Sequence, residues 1–274
     1  MKPAQFDYLR AESIGDVHRA LSEVKDARVL AGGQTLMPML SMRLARPSSV
    51  IDIMRIEALG RIEEKGNAIR VGAAVRQAKL LAWPGLKDRQ PLLAAALPWV
   101  GHAQTRNRGT VCGSAAHADP SAEIPLVLTA LEGSVEVSSL RGARKVAAAE
   151  FFTGLMTTAR ADDEMIEAVH FPVRQPGHGY AFNEYGRRHG DFALVACAAV
   201  VSRTRVRLAI GGVSDRPVAR DLSGTNDEEL AQAINDFAWW LEARDDLHAT
   251  ASYRRQLVRE MGIRTVREAR ACIS

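Results

Sequence analysis

Cysteine is scarce in this 274-residue chain: Cys112, Cys197 and Cys272 are odd in number and far apart. With no CxxC pair among them, they speak against a disulfide framework, a structural zinc site, or an iron–sulfur cluster held by this chain alone. Aromatic residues make up only 5% of the sequence, and no basic stripe interleaved with them marks a nucleic-acid surface. Charge of one sign is lacking too, since 36 basic residues stand against 32 acidic ones for a net +4. No apolar run reaches the roughly 20 residues that span a bilayer. The opening MKPAQFDYLR has no apolar core of the kind a signal peptide needs. The expectation is a cytoplasmic protein without an integral membrane segment. What is plentiful is apolar side chain, 47% of residues, enough for one large domain or two to three small ones.

Two glycine-bearing runs carry the chemistry. Residues 109–125 read GTVCGSAAHADPSAEIP. Small residues at Thr110, Gly113 and Ser114 are expected to leave backbone amides uncovered, so that an anionic group can approach them. Asp119-Pro120 then reads as a helix start, aspartate capping and proline in the first turn, with Ile124, Leu126, Val127 and Leu131 as its apolar run. The second run, AGGQTL at residues 31–36, follows the apolar residues 29–31 and precedes a helix over residues 37–44. It reads as strand, glycine turn, helix. Either run alone fits a tight turn with no ligand. Two of them, each leading into a helix N-terminus, suit a ligand with two phosphates. Charge-assisted hydrogen bonds of that kind contribute about 1.5 to 3 kcal/mol each.

Around these runs the pattern alternates. A short strand at residues 6–9 precedes a helix capped by Ser13, with Ile14, Val17, Leu21 and Val24 on one face. Strands are expected at 50–53, 68–75, 135–137 and 165–171, and a buried helix at 90–100 that Pro98 ends or kinks. That order predicts an α+β unit of two lobes, about 1–55 and 56–171. From Pro172 the composition shifts. A linker at 174–177 leads to strands at 180–185, 193–201 and 205–210, then to helices at 228–241, 253–261 and 265–272. A C-terminal domain over 172–274, a three-stranded sheet backed by helices, is expected.

The segments AGGQTLMPML (31–40), RNRGTVCGSAAHADPSAEIP (106–125) and RRHGDFALVACAA (187–199) together resemble the FAD-binding medium subunit of molybdenum hydroxylases. That family includes the carbon monoxide dehydrogenase medium chain and the FAD domain of xanthine dehydrogenase. The motifs stand in the family's order, and the resemblance covers essentially the whole chain. It implies a two-lobed FAD-binding unit of the vanillyl-oxidase-like (PCMH) type, with a C-terminal domain that packs against partner subunits and closes one side of the flavin site. Gln34 stands where covalent flavoproteins of the wider superfamily commonly carry histidine, which implies non-covalent FAD.

The resemblance also implies site residues. Ala31, Gly32, Gly33, Gln34, Thr35 and Leu36 form the first pyrophosphate turn; Thr110, Val111, Gly113 and Ser114 form the second. Cys112 stands where many relatives have glycine, and it either lines the site or is a small buried hydrophobe. Glu123 aligns with an acid on the adenosine ribose, or simply favours a first helical turn. Ile166 falls where relatives meet the flavin ring, although a buried strand residue would look the same. Phe192 aligns with an aromatic residue beside the isoalloxazine. Arg187 and Arg188 either hold the ring's edge or pair with acids, and an acid at Glu184 would not stabilise a reduced anionic flavin. His117 and Asp119 suggest a dyad, but flavin electron transfer needs no side-chain base. No catalytic or metal-ligating residue is assigned.

The implied function is an FAD-carrying electron-transfer subunit of a heterotrimeric molybdenum hydroxylase. Molybdopterin and [2Fe-2S] clusters would lie on a large and a small partner subunit, in a dimer of heterotrimers. The alternative is a self-sufficient FAD-dependent oxidase or reductase of the same fold. The holoenzyme's substrate and its electron acceptor are not encoded in these motifs.

Overall fold

The computed structural model describes residues 2–273. Its first lobe is a three-stranded parallel sheet in which Ser49–Asp52 lies between Asp7–Arg10 and Arg28–Leu30. The helix Ile14–Glu23 covers it with Val17, Ala20 and Leu21 buried. Ser13 starts that helix: its Oγ accepts from the Asp16 N–H at 3.1 Å, and Asp16 Oδ2 accepts from the Ser13 N–H at 2.9 Å. This reciprocal capping box satisfies two amide donors that the helix itself leaves without partners.

The second lobe is a five-stranded antiparallel sheet in the order Ile62–Lys65, Ala68–Gly72, Met165–Pro172, Ser134–Ser139, Gly142–Ala147. Helix Glu123–Ala130 is buried along its whole length. It lies between this lobe and the C-terminal sheet, packing on Val195–Val201 and Val206–Gly211. That position explains why it is apolar all round rather than on one stripe.

The C-terminal sheet has four antiparallel strands rather than three: Gly179–Tyr185, Val195–Val201, Val206–Gly211 and Val218–Asp221. The edge strand VARD follows a proline and is too short and polar to carry an alternation signal. Alternate residues of this sheet serve two cores. Tyr180, Ala196, Ala198 and Ala209 join the core of the preceding lobes, while Ala181, Cys197, Ala199 and Leu208 face the C-terminal helices. Burial on both faces makes Val195–Val201 a continuous apolar run.

The expected helices 253–261 and 265–272 are one helix, Ala251–Ala271. Gly262 packs closely on the core: a Cβ there would stand 3.1 Å from Ile234 Cγ2 and 3.2 Å from Leu208 Cδ2. Packing outweighs the roughly 1 kcal/mol that a helical glycine costs. No helix among the described residues is long and apolar enough to cross a membrane.

Candidate functional site

A cavity of about 770 Å³ runs along the joint between the lobes and reaches the C-terminal domain. Its wall includes Ala31, Gly32, Gly33, Gln34, Thr35 and Leu36 from the first turn, and Thr110, Gly113 and Ser114 from the second. Glu123, Ile166 and Phe192 also line it. Val111 does not; its side chain is fully buried, and its N–H donates to the Val75 carbonyl at 3.1 Å.

The first turn keeps its amides available. Among the described residues, the N–H groups of Gly33, Gln34, Thr35 and Leu36 donate to no protein acceptor. Helix Leu36–Ser41 starts there without a side-chain cap. Gly33 has φ +69, a backbone conformation that favours glycine. Gly32 is needed for a different reason, because a Cβ there would stand 2.3 Å from the Arg108 carbonyl oxygen and 2.6 Å from Gly109 Cα. The first turn therefore packs backbone to backbone against the segment that leads into the second.

The second run departs from expectation. Its helix is Val111–His117, and Thr110 is the cap: Thr110 Oγ1 accepts from the Gly113 N–H at 3.0 Å, and the Thr110 carbonyl from the Ser114 N–H at 3.2 Å. The amides of Gly113 and Ser114 are thus not uncovered. Nor does Asp119-Pro120 open the next helix, which begins at Glu123 with Ala122 as its cap. Asp119 Oδ1 instead accepts from the Ser121 N–H at 2.8 Å, closing a local turn. Cys112 is buried, its Sγ donating to the Val71 carbonyl at 3.4 Å, and burial pushes its thiol up to about 12. It lines the cavity as an inert group.

Behind the second run lies a group of carboxyls. Glu123 is 7% exposed, and burial pushes it up to about 7, helped by the Asp119 charge and opposed by Arg106. Glu184 stands across from it on the C-terminal sheet, with Oε2 buried and unpartnered. Burial, then the Glu123 charge, raises Glu184 to about 9. Arg106 Nη1 is committed to the Pro98, Val100 and Gly101 carbonyls, at 3.1, 3.0 and 2.8 Å. His117 Nε2 lies 4.0 Å from Asp119 Oδ2, too far for a hydrogen-bonded dyad.

The C-terminal domain reaches the cavity through the loop at residues 186–192. Its Gly190 (φ +89) packs on His102, and His189 stacks on Trp99 with centroids 5.1 Å apart. Phe192 is 66% exposed at the rim. Arg187 and Arg188 line a notch beside it with Asp191 and form no ion pair among the described residues.

Sequence reasoning missed Gln77 and Arg160. Gln77 lines the cavity, 5% exposed, with Nε2 donating to the Thr110 carbonyl at 3.4 Å and Oε1 buried without a partner. A glutamine at a helix start carries no local pattern; only its placement beside Gly109 marks it.

Known proteins share the family and the fold. Residues 4–174 match the model of the FAD binding domain in molybdopterin dehydrogenase, and residues 180–269 that of the CO dehydrogenase flavoprotein C-terminal domain. The nicotine 6-hydroxylase medium subunit of Paenarthrobacter nicotinovorans is 41% identical over 283 residues, covering 99% of both chains. The carbon monoxide dehydrogenase medium chain of Hydrogenophaga pseudoflava is 32% identical over 282 residues, 98% of both. Among solved structures, carbon monoxide dehydrogenase from Hydrogenophaga pseudoflava superposes with a TM-score of 0.95 at 30% identity over 100% of both chains. Quinoline 2-oxidoreductase from Pseudomonas putida 86 gives 0.92 at 33% identity over 99% of both.

Proposed function

We propose that this chain, which belongs to the family of FAD-binding domains in molybdopterin dehydrogenases, is the flavin-carrying electron-transfer subunit of a heterotrimeric molybdenum hydroxylase. It is an oxidoreductase subunit, and FAD is its cofactor. The observation that supports the reading best is the first turn: four adjacent amides without protein acceptors face a cavity whose second wall is another helix N-terminus.

The residues present fit the cofactor. Gly33, Gln34, Thr35 and Leu36 offer amides to a pyrophosphate, and the Thr35 hydroxyl can add a donor. The second run contributes less through its backbone than its composition suggests, because its helix cap already uses Gly113 and Ser114. Thr110, Gly113 and Ser114 serve chiefly as a close-fitting wall, while Val111 anchors that wall in the core. Glu123 lines the adenosine side, Ile166 meets the flavin ring, and Phe192 covers that ring at the C-terminal rim. Gln34 carries no nucleophile that could bond the flavin, so the cofactor is held by contacts alone. Bound flavin supplies reversible electron transfer; the chain's own residues bind it, orient it and limit its exposure to water.

In this reading, residues 1–171 form the FAD-binding domain and 172–274 the C-terminal domain. A large subunit carries molybdopterin and a small subunit carries [2Fe-2S] clusters, assembled as a dimer of heterotrimers in the cytoplasm. Electrons arrive from the [2Fe-2S] subunit and leave to an external acceptor. The substrate is oxidised on the large subunit, so its identity is read there. The test is an absorbance spectrum of the purified chain, with heat-released flavin identified by chromatography before and after adding excess FAD. Stoichiometric FAD is expected; a chain that stays colourless after reconstitution with its partner subunits would overturn the reading.

A further inference from the structure

The loop at residues 186–192 carries charge that the chain itself does not use. Arg187 and Arg188 are exposed, and among the described residues they form no ion pair and donate no side-chain hydrogen bond. Neither lines the cavity assigned to the flavin, although Gly190, Asp191 and Phe192 of the same loop do. The two cations therefore stand outside the cofactor's seat, on the loop that forms its rim.

That loop is pinned at its base, within its turn and on its far side. The Leu194 N–H donates to the Tyr185 carbonyl at 2.8 Å across the base, and the Asp191 N–H to the Arg188 carbonyl at 3.2 Å within the turn. His189 stacks on Trp99 and Gly190 sits against His102, which fastens the loop to the FAD-binding segment. A surface fixed before its partner arrives loses little freedom on binding.

Exposed aromatic residues flank the arginines in the chain. Phe192 follows them, and Tyr185, which precedes them, packs edge to face on Tyr253 with centroids 6.2 Å apart; both tyrosines are 42% exposed. Exposed aromatic rings beside arginine are the composition of protein–protein contacts. A small anion is served less well, because the notch that Arg187 and Arg188 form with Asp191 has no apolar residue in its wall to take a base or a ring. Two cations against one acid instead give the rim a positive field, which attracts and orients a partner of opposite sign.

We propose that the loop bearing Arg187 and Arg188 is the docking face for an acidic one-electron carrier protein, the external acceptor of this chain's electrons. This rests on the FAD reading above. Each encounter removes one electron, so two carriers return reduced FAD to its oxidised form, and its two protons pass to water. Arg187 and Arg188 hold the carrier against the rim and take no part in the transfer itself.

The test sets an acidic c-type cytochrome against a basic one, two probes of the same chemistry and opposite charge. Binding to the flavin-free full chain is followed by calorimetry over a series of salt concentrations. The acidic cytochrome should bind wild type and weaken as salt rises, and the basic one should not bind. In the double variant Arg187→Glu with Arg188→Glu, affinity for the acidic cytochrome should fall about tenfold and the basic one should begin to bind. The FAD-loaded chain, reduced with dithionite, gives a second readout. The variant should pass electrons to the acidic cytochrome about tenfold more slowly and to a neutral quinone at the wild-type rate, which shows that it is folded and holds its cofactor. Single Arg187→Gln and Arg188→Gln variants should each show a smaller loss in the same direction, and they carry the test if the double variant does not fold. Unchanged affinity for the acidic cytochrome would overturn the proposal. So would equal slowing toward the quinone, a loss confined to NAD as acceptor, or failure of the variants to assemble with the partner subunits, which would make this face a subunit contact. A wild type that takes up no FAD would instead refute the parent reading, and binding to the flavin-free chain would still decide the docking face.

Discussion

The turn at residues 31–36 and the run at residues 109–114 share glycines, a hydroxyl and a following helix, yet their amides have different fates. Gly33 to Leu36 leave theirs without a protein acceptor, whereas Val111, Gly113 and Ser114 spend theirs on Val75, the Thr110 hydroxyl and the Thr110 carbonyl. Their surroundings differ in sign as well. Arg28 and Arg160 stand near the first, while Asp119, Glu123 and Glu184 lie behind the second. One glycine run leaves its amides open to the cavity and the other folds its amides into a helix cap.

The largest expected effect comes from removing the contact that joins them. Gly32→Val places side-chain atoms inside the Arg108–Gly109 backbone, which should cost about 3 kcal/mol, the upper end for overpacking, and should also abolish flavin retention. Urea denaturation measures it, and wild-type stability would show that the two runs are not locked together. A smaller effect separates the acidic side. Because the folded protein raises Glu184 to about 9, it binds a proton there that the unfolded chain gives up near 4.5. That contribution to stability is fully present below pH 4.5 and is lost as pH rises through 9. Glu184→Gln should therefore leave stability unchanged at pH 5 and raise it at pH 9 by about 1 to 3 kcal/mol, the cost of an unsatisfied buried group. Equal thermal midpoints at pH 9 would count against this.

The smallest effect is the sharpest contrast. Thr110→Val removes a helix cap and should cost about 1 kcal/mol of stability with little change in FAD affinity. Thr35→Val removes no protein hydrogen bond, so its thermal midpoint without flavin should stay put while FAD affinity falls. If both variants lost stability and affinity alike, the distinction between the two turns would collapse.

Much of this was legible because it depends on local chemistry. Ser13 announces a helix start, AGGQTL announces a turn, and the apolar runs at residues 180–185 and 193–201 announce strands. The aromatic after Gly190-Asp191, which the resemblance places beside the isoalloxazine, falls on the cavity rim. What misled was a strong local signal in a competing place. Asp119-Pro120 has the composition of a helix start, but Thr110 caps the chain into a helix nine residues earlier, and the Asp119 side chain closes a turn. The gap between the expected helices at 253–261 and 265–272 is one continuous helix, with Gly262 in close contact there. Gln77 and Arg160 had no signal to read, since three carbonyls and a neighbouring turn give them their surroundings, and tertiary structure alone brings those together.

The stacked pair Trp99–His189 joins a residue of the FAD-binding segment to one of the C-terminal segment, beside the seat of Gly190 on His102. The two segments are therefore poor candidates for exchange between relatives. A chimera that joins the first 174 residues of this chain to a foreign C-terminal half would keep both glycine turns, yet it would inherit a rim shaped for another tryptophan, histidine and phenylalanine. Transplantation would succeed only if the loop at residues 186–192 travelled with the segment that receives it.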